Sequence, residues 1–284
     1  MEQAIYHIVT TELTSIPYYT EGPVTDKEGN LYFTTLSGGL IYKMNRRDVL
    51  SEWTKAVCPN GQVILPNGDH LVCDSKLATL SRFNADGDFL KNDIEGSCAG
   101  MTVYVPNDVI ADRNGGVYFT DSIRARGKVG YKGPDGKEYI LAQNLDYPNG
   151  LVLSDDERFL FVAESYKNRI LIFSLKAPGI SDGSFNVFAN LPGNAIKDVS
   201  KNLPDGIKID KYGNLWVAHY GMSAVQILNK EGMLIQTIQT GIPLTSNLCL
   251  VDNEVIITGG YGEPGPGAIL KITLSYDEKC LQNL

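Results

Sequence analysis

Six polar residues recur along the chain: Glu21, Asn60, Asn107, Asn149, Asp205 and Asn247. They are separated by 39, 47, 42, 56 and 42 residues. About fourteen residues after each stands a second set: Thr35, Asp74, Asp121, Glu164, His219, and Tyr261 or its neighbour Gly260. Brought together, these side chains would concentrate hard oxygen donors. Carboxylates and amide oxygens suit Ca²⁺, Mg²⁺ or Mn²⁺. Carboxylates forced to face one another repel, and a divalent cation resolves that conflict. No Cys/His cluster suits a thiolate zinc site, and the histidines are only His7, His70 and His219. Asn60 and Asn247 read equally well as turn-formers. Glu is a poor turn residue, so position 21 needs another reason. Asp121 and Glu164 read equally as pocket-rim charges, and His219 as a structural or a catalytic histidine.

The elements that must position these residues repeat with them. The segments are EGPVTDKEGNLYFTT (21–35), NGQVILPNGDHLVCDS (60–75), NDVIADRNGGVYFTDS (107–122), NGLVLSDDERFLFVAES (149–165), DGIKIDKYGNLWVAHY (205–220) and NLCLVDNEVIITGGY (247–261). Each joins two apolar runs through a polar turn. Asp26, Asp112, Asp210 and Asp252 stand five residues after their lead, and Gly29, Gly68, Gly115 and Gly213 eight after. Asp followed by Gly three residues later is a hairpin turn: Asp bonds the turn backbone and Gly accepts positive φ. Further strand-like runs lie between the hairpins, such as LIYKMN (40–45) and RILIFSL (169–175). Four strands per 40–50 residues, six times over, predicts an all-β, six-bladed β-propeller with four-stranded blades, spanning 1–284 as a single domain. A β-sandwich would not repeat one hairpin six times. The early run AIYHIVT (4–10) and the late run AILKITL (268–274) are expected to close the ring in one shared blade. The leading residue is expected just before the innermost strand. The antiparallel partner then returns the second set to the same mouth of the channel.

The chain carries 25 Lys+Arg against 33 Asp+Glu, a net charge of −8. That balance argues against nucleic acid and anionic membrane surfaces, which need a basic surplus. No apolar run is long enough to span a bilayer, and the N-terminus lacks a basic region followed by an apolar one. Five cysteines without close pairs do not read as a disulfide framework, so a reducing cytoplasm is the expected compartment. The expected partner is a small-molecule substrate, bound by a monomer or small homo-oligomer.

Four segments carry a family resemblance: Glu-Gly-Pro (21–23), Pro-Asn-Asp (106–108) with the following FTDS, Pro-Asn-Gly (148–150) with the following ES, and Pro-Asp-Gly (204–206) followed by GNLWVA. In this order, across nearly the whole chain, they resemble the SMP-30/gluconolactonase/luciferin-regenerating family of six-bladed propellers. The resemblance implies one divalent metal in the channel, with Glu21, Asn149 and Asp205 as ligands. Ca²⁺ is the first expectation, with Mg²⁺, Mn²⁺ or Zn²⁺ as alternatives. It implies that Asn107 holds substrate or a metal-bound water, and that the reaction is hydrolysis of a sugar lactone or another cyclic ester. Asp205 is expected to orient or deprotonate the attacking water, with Asp121 and His219 in reserve. Tyr104, Asp74 and Glu164 are the expected substrate contacts beside Asn107. Sugar-lactonase members often carry Arg two residues before the equivalent of Asn107; here that position is Val105, which favours a less hydroxylated substrate.

Two irregular segments are expected at the mouth. Residues 123–139 carry Arg124, Arg126, Lys128 and Lys132, either as an anion-attracting rim or as a solvated loop. Residues 176–203 account for the long fourth spacing. The G-x-G-x-x-G at 260–265 runs into Pro266 and a strand rather than a helix, so it is no dinucleotide site. Alternative functions keep the metal but change the chemistry, to phosphotriester hydrolysis or a lyase or isomerase step, or make the propeller a non-catalytic scaffold.

Overall fold

The computed structural model describes residues 6–276. Residues 4 and 5 of the expected closing strand, and Cys280, lie outside the described residues. Six antiparallel sheets follow one another around a central axis. Blade 1 consists of Thr20–Thr25, Leu31–Thr35, Leu40–Met44 and Leu50–Lys55, from the axis outward. Blade 2 is Pro59–Ile64, His70–Asp74, Thr79–Phe83 and Phe89–Glu95. Blade 3 is Pro106–Ala111, Val117–Asp121, Gly127–Lys132 and Glu138–Leu145. Blade 4 is Pro148–Leu153, Phe159–Glu164, Arg169–Ala177 and Asn186–Asn190, and blade 5 is Leu203–Ile209, Leu215–Tyr220, Ala224–Leu228 and Leu234–Gln239. Blade 6 takes Leu244–Val251, Glu254–Gly260 and Gly267–Tyr276 from the end of the chain and Tyr6–Ile16 from its beginning. That outer strand pairs from Tyr6 opposite Tyr276 to Ile16 opposite Gly267, so both ends of the chain close the ring as expected.

The hydrophobic core is divided among the blade interfaces, because each blade is a sheet apolar on both faces. Trp216, Val225 and Ile227 of blade 5 pack on Leu248, Val255 and Ile272 of blade 6. Tyr118, Val129 and Tyr131 of blade 3 pack on Leu160, Leu171 and Phe173 of blade 4. Each remaining pair of neighbours encloses its own cluster. The second strand of a blade has neighbours on both edges and both faces, which is why LYFTT, HLVCD and VYFTD are buried throughout.

The hairpins turn as the Asp-Gly spacing predicts. Gly29, Gly115 and Gly213, each in the left-handed region, donate their N–H to the carbonyls of Asp26, Asp112 and Asp210. The aspartate side chains also clamp aromatic partners. Asp112 accepts from the Tyr131 hydroxyl at 3.0 Å, and Asp210 from Trp216 Nε1 at 3.0 Å.

Every innermost strand breaks register at the same place. The breaks fall between Glu21 and Val24, Pro59 and Gln62, Pro106 and Val109, Pro148 and Leu151, Pro204 and Ile207, and Thr245 and Asn247. A bulge re-aims the side chain it carries. The leading residues therefore lie inside the innermost strands rather than before them. Neighbouring innermost strands also crowd one another here: a Cβ on Gly150 would meet the Asp205 carbonyl oxygen at 2.3 Å. This crowding, rather than a turn, explains the glycine after Asn149.

Two segments are more regular than expected. Residues 123–139 contain the third strand of blade 3, and residues 176–203 supply the outer strand of blade 4. Among the described residues no helix is long and apolar enough to cross a membrane.

Candidate metal and substrate site

The bulged residues ring one mouth of the channel. Pairing aligns Thr20, Pro59, Pro106, Pro148, Pro204 and Thr245 opposite Thr35, Asp74, Asp121, Glu164, His219 and Gly259. The next residue in each innermost strand is Glu21, Asn60, Asn107, Asn149, Asp205 and, in blade 6, Ser246. Asn247 is thus one place too far along to be the sixth lead, and Gly259, not Gly260 or Tyr261, closes the second set.

Five of these side chains, Glu21, Asn60, Asn107, Asn149 and Asp205, line a cavity of about 310 Å³. Its walls are Tyr19, Tyr147, Tyr166, Tyr220, Leu36 and Leu203, with Ser165, Ser200 and Glu263 also in the lining and no lysine, arginine or histidine. Tyr19 and Tyr147 come from the crossings between blades and stand two residues before Glu21 and Asn149. Tyr166 follows the second strand of blade 4, and Tyr220 ends the second strand of blade 5. Tyr147 is held in the left-handed region at φ 64, a strained conformation for a bulky residue next to the site.

The cavity floor gathers buried carboxyls with no cationic side chain in the lining. Glu21 and Asp205 are both buried. Burial pushes the Glu21 carboxyl up to about 7, against the pull of the Gly22 N–H and the Asn247 amide, which donate to Oε2 at 2.6 and 3.0 Å. Burial and then the neighbouring Glu21 and Asp108 carboxylates hold Asp205 well above the usual carboxylate range. Asp108 lies in the same channel, is raised by burial, and leaves Oδ2 without a hydrogen-bond partner among the described residues. Asn60 Oδ1 is likewise buried and unpartnered. Among the described residues no three His, Cys, Asp or Glu side chains converge closely enough to hold a metal by themselves. The set here has two carboxylates and completes itself with amide oxygens. Buried, unpaired oxygens of this kind fit a hard divalent cation and do not fit a soft one.

The second set behaves differently. Asp74 accepts from the N–H groups of Val57, Cys58, Lys76 and Leu77. Asp121 accepts from Tyr104 and Val105 N–H and pairs with the buried Lys128 ammonium at 2.8 Å. Glu164 accepts from Asp146 N–H at 2.7 Å and from Arg169 at 2.6 Å. His219 sits between Gln226 Nε2 at 3.3 Å and Asn168 Oδ1 at 3.1 Å. The Asn168 amide nitrogen already donates to the Leu191 and Pro192 carbonyls, so its oxygen faces His219 and takes the proton from Nε2. Burial lowers this imidazole to about 4, keeping it neutral. None of these four lines the cavity. Neither does Tyr104, half exposed against Lys128 and Arg126. The structure therefore does not bring Asp121 and His219 to the place expected of reserve bases, nor Asp74, Glu164 and Tyr104 to the place expected of substrate contacts. Their polar atoms tie blade crossings to strand ends. The basic segment is also committed elsewhere: Arg124 pairs with Asp146 at 2.6 Å and Lys132 with Glu138 at 3.1 Å.

Residues 19–258 match the family model of the SMP-30/Gluconolactonase/LRE-like region. The chain belongs to this family. Among its curated relatives, Lactonase drp35 of Staphylococcus saprophyticus is 31% identical over 269 residues, covering 84% of this chain and 80% of that protein. A gluconolactonase structure from Xanthomonas campestris superposes with a TM-score of 0.80 at 24% identity, covering 94% and 89% of the two chains. The calcium-binding protein regucalcin from Agrobacterium tumefaciens gives 0.74 at 17% identity, covering 93% and 92%. Within this family frame, the tyrosine walls and Glu263 are the site residues that sequence reasoning missed. A signal was present: Tyr19, Tyr147, Tyr166 and Tyr220 each stand within two residues of a member of one of the two sets.

Proposed function

We propose that the chain is a lactonase-type hydrolase holding one divalent cation, Ca²⁺ first among candidates, on Glu21, Asn149 and Asp205. The observation that carries this reading is the pair of buried carboxylates among amide oxygens, with no cationic side chain lining the cavity. The lactonase and gluconolactonase names of the relatives support the reaction class, and the calcium-binding neighbour supports the metal. A bound cation would supply Lewis-acid polarisation of an ester carbonyl at this site. Asn107 and Asn60 orient the ester group beside it. Asp205 orients the attacking water and accepts its proton; the acyl carbon gains that oxygen, the ring C–O bond breaks, and the proton passes from Asp205 to the departing ring oxygen, giving the hydroxy acid. The tyrosine walls exclude bulk water from the floor.

The walls also define the substrate. Four tyrosines and two leucines suit a neutral, sparsely hydroxylated cyclic ester, and the lack of any ammonium or guanidinium group disfavours a sugar acid. The four described cysteines are free, which fits a reducing cytoplasm. The test is hydrolysis of a panel of neutral apolar lactones against gluconolactone, before and after chelation. Chelator-sensitive turnover favouring the apolar lactones is expected. Turnover unaffected by chelation would overturn the cation's role, and a preference for gluconolactone would overturn the substrate assignment.

A further inference from the structure

Three serines close the second strands of blades 2, 3 and 4 in the same way. Ser75 donates to the Pro106 carbonyl at 2.8 Å, Ser122 to Pro148 at 2.5 Å and Ser165 to Pro204 at 2.7 Å. Each of these prolines immediately precedes a cavity residue of the next blade: Asn107, Asn149 or Asp205. Two of the serines also touch the cavity residue of their own blade, with Asn60 Nδ2 lying 3.3 Å from Ser75 Oγ and Asn149 Nδ2 3.3 Å from Ser165 Oγ. A carbonyl only accepts, so the proton of Ser165 is committed to Pro204, and towards Asn149 the hydroxyl offers only a lone pair. The Asn149 amide must therefore present its NH₂ to Ser165. Its Oδ1, the atom able to bind a cation, is turned away from the serine. The same logic at Ser75 leaves Asn60 Oδ1 buried and unpartnered, as observed.

We propose that Ser165 is the positioning residue of the cation site. It fixes the amide of one ligand, Asn149, and the backbone leading into another, Asp205, across the boundary between blades 4 and 5. The inference rests on the proposed cation site. Ser165 is buried, uncharged and borders the cavity beside Asn149, but its proton is committed to the Pro204 carbonyl, so its effect on a cation passes through the Asn149 amide and the backbone that leads into Asp205. Ser75 is the internal control, because it makes the same two bonds to residues outside the ligand set.

The experiment is a calorimetric titration of purified protein with Ca²⁺ alone, alongside thermal unfolding of the calcium-free form. Ser165→Ala is expected to weaken Ca²⁺ binding about tenfold, the range for groups that orient metal ligands. Ser75→Ala should change it by less than about twofold while lowering the unfolding temperature of the calcium-free protein to a similar extent. In an Asn149→Ala background, adding Ser165→Ala should cost less than about threefold, because part of its route is gone. Wild-type affinity in Ser165→Ala, where Glu21→Gln has lost binding, would overturn the positioning role and leave the cation site standing. An equal loss in Ser75→Ala would also overturn it, showing general loosening of the blade boundaries. Failure of the wild-type protein to bind Ca²⁺ or Mn²⁺ would overturn the cation reading and this inference together.

Discussion

Two rings of polar residues sit at one mouth of the propeller, one position apart in the pairing of the first two strands of blades 2 to 5, and they do opposite things. The inner ring, from Glu21 to Asp205, keeps buried oxygens without cationic partners. The outer ring, from Asp74 to His219, uses its oxygens and nitrogens on backbone N–H groups, Lys128, Arg169 and amides. Residue type does not separate them, since both contain carboxylates. The bulge does: it turns one side chain toward the axis, while the regularly paired strand end opposite it is surrounded by donors. A carboxylate whose hydrogen bonds are complete builds the scaffold; one left incomplete in a buried cavity is a ligand in waiting.

The comparison breaks most visibly by substitution in the inner ring. Asp205→Asn should reduce kcat/KM by at least about a hundredfold, and Glu21→Gln should abolish stoichiometric metal, measured by elemental analysis. Neither should lower the unfolding temperature of the metal-free protein, because each replaces a buried carboxyl whose charged form burial already disfavours. The outer ring should show the reverse. Asp121→Ala leaves the Lys128 ammonium buried and unpaired, which costs about 3 kcal/mol in urea unfolding. Metal affinity of the folded fraction should remain within a few-fold of wild type.

A smaller effect separates the rings by pH. His219 belongs to the outer ring and its folded value is lowered to about 4. Below an unfolded value near 6.5, the unfolded chain takes up a proton that the folded chain refuses, so stability falls as pH drops through that window and levels off below 4. The His219 contribution between pH 7 and 5 is about 2 kcal/mol. Burial lowers the His70 imidazole to about 4 as well, so His219→Gln should reduce the slope of the urea midpoint over that range by the His219 share and leave the His70 share, and an unchanged slope would contradict the buried, neutral assignment. The smallest effect is expected at the cavity wall. Tyr220→Phe removes the 2.9 Å hydrogen bond to Glu263 and should alter KM by less than about fivefold with kcat held, by roughly the free energy of one exposed hydrogen bond.

The propeller was legible because its hairpins recur, three of them with the same Asp-Gly turn, and the ring closure because two unpaired strand patterns were left at the ends. Glu21, Asn149 and Asp205 were legible as a set through the repeat together with the family resemblance, and the structure gathers them around one cavity. The roles of Asp74, Asp121, Glu164 and His219 were not legible. Spacing places them at the right mouth, but only three-dimensional contact reveals Lys128 beside Asp121 or Asn168 beside His219. The sixth lead slipped by one residue because Ser246 and Asn247 are both polar, and only strand pairing distinguishes them. The tyrosine walls were legible only as sequence neighbours of the two rings: two come from crossings between blades, whose paths no period in the sequence describes.

The central claim is that the inner ring binds a divalent cation and the outer ring does not. Anomalous diffraction from crystals equilibrated with Mn²⁺ tests it most directly. One strong peak within bonding distance of Glu21, Asn149 and Asp205 is predicted, with none beside Asp121 or Glu164. An empty inner ring, or a peak on the outer one, would contradict the account.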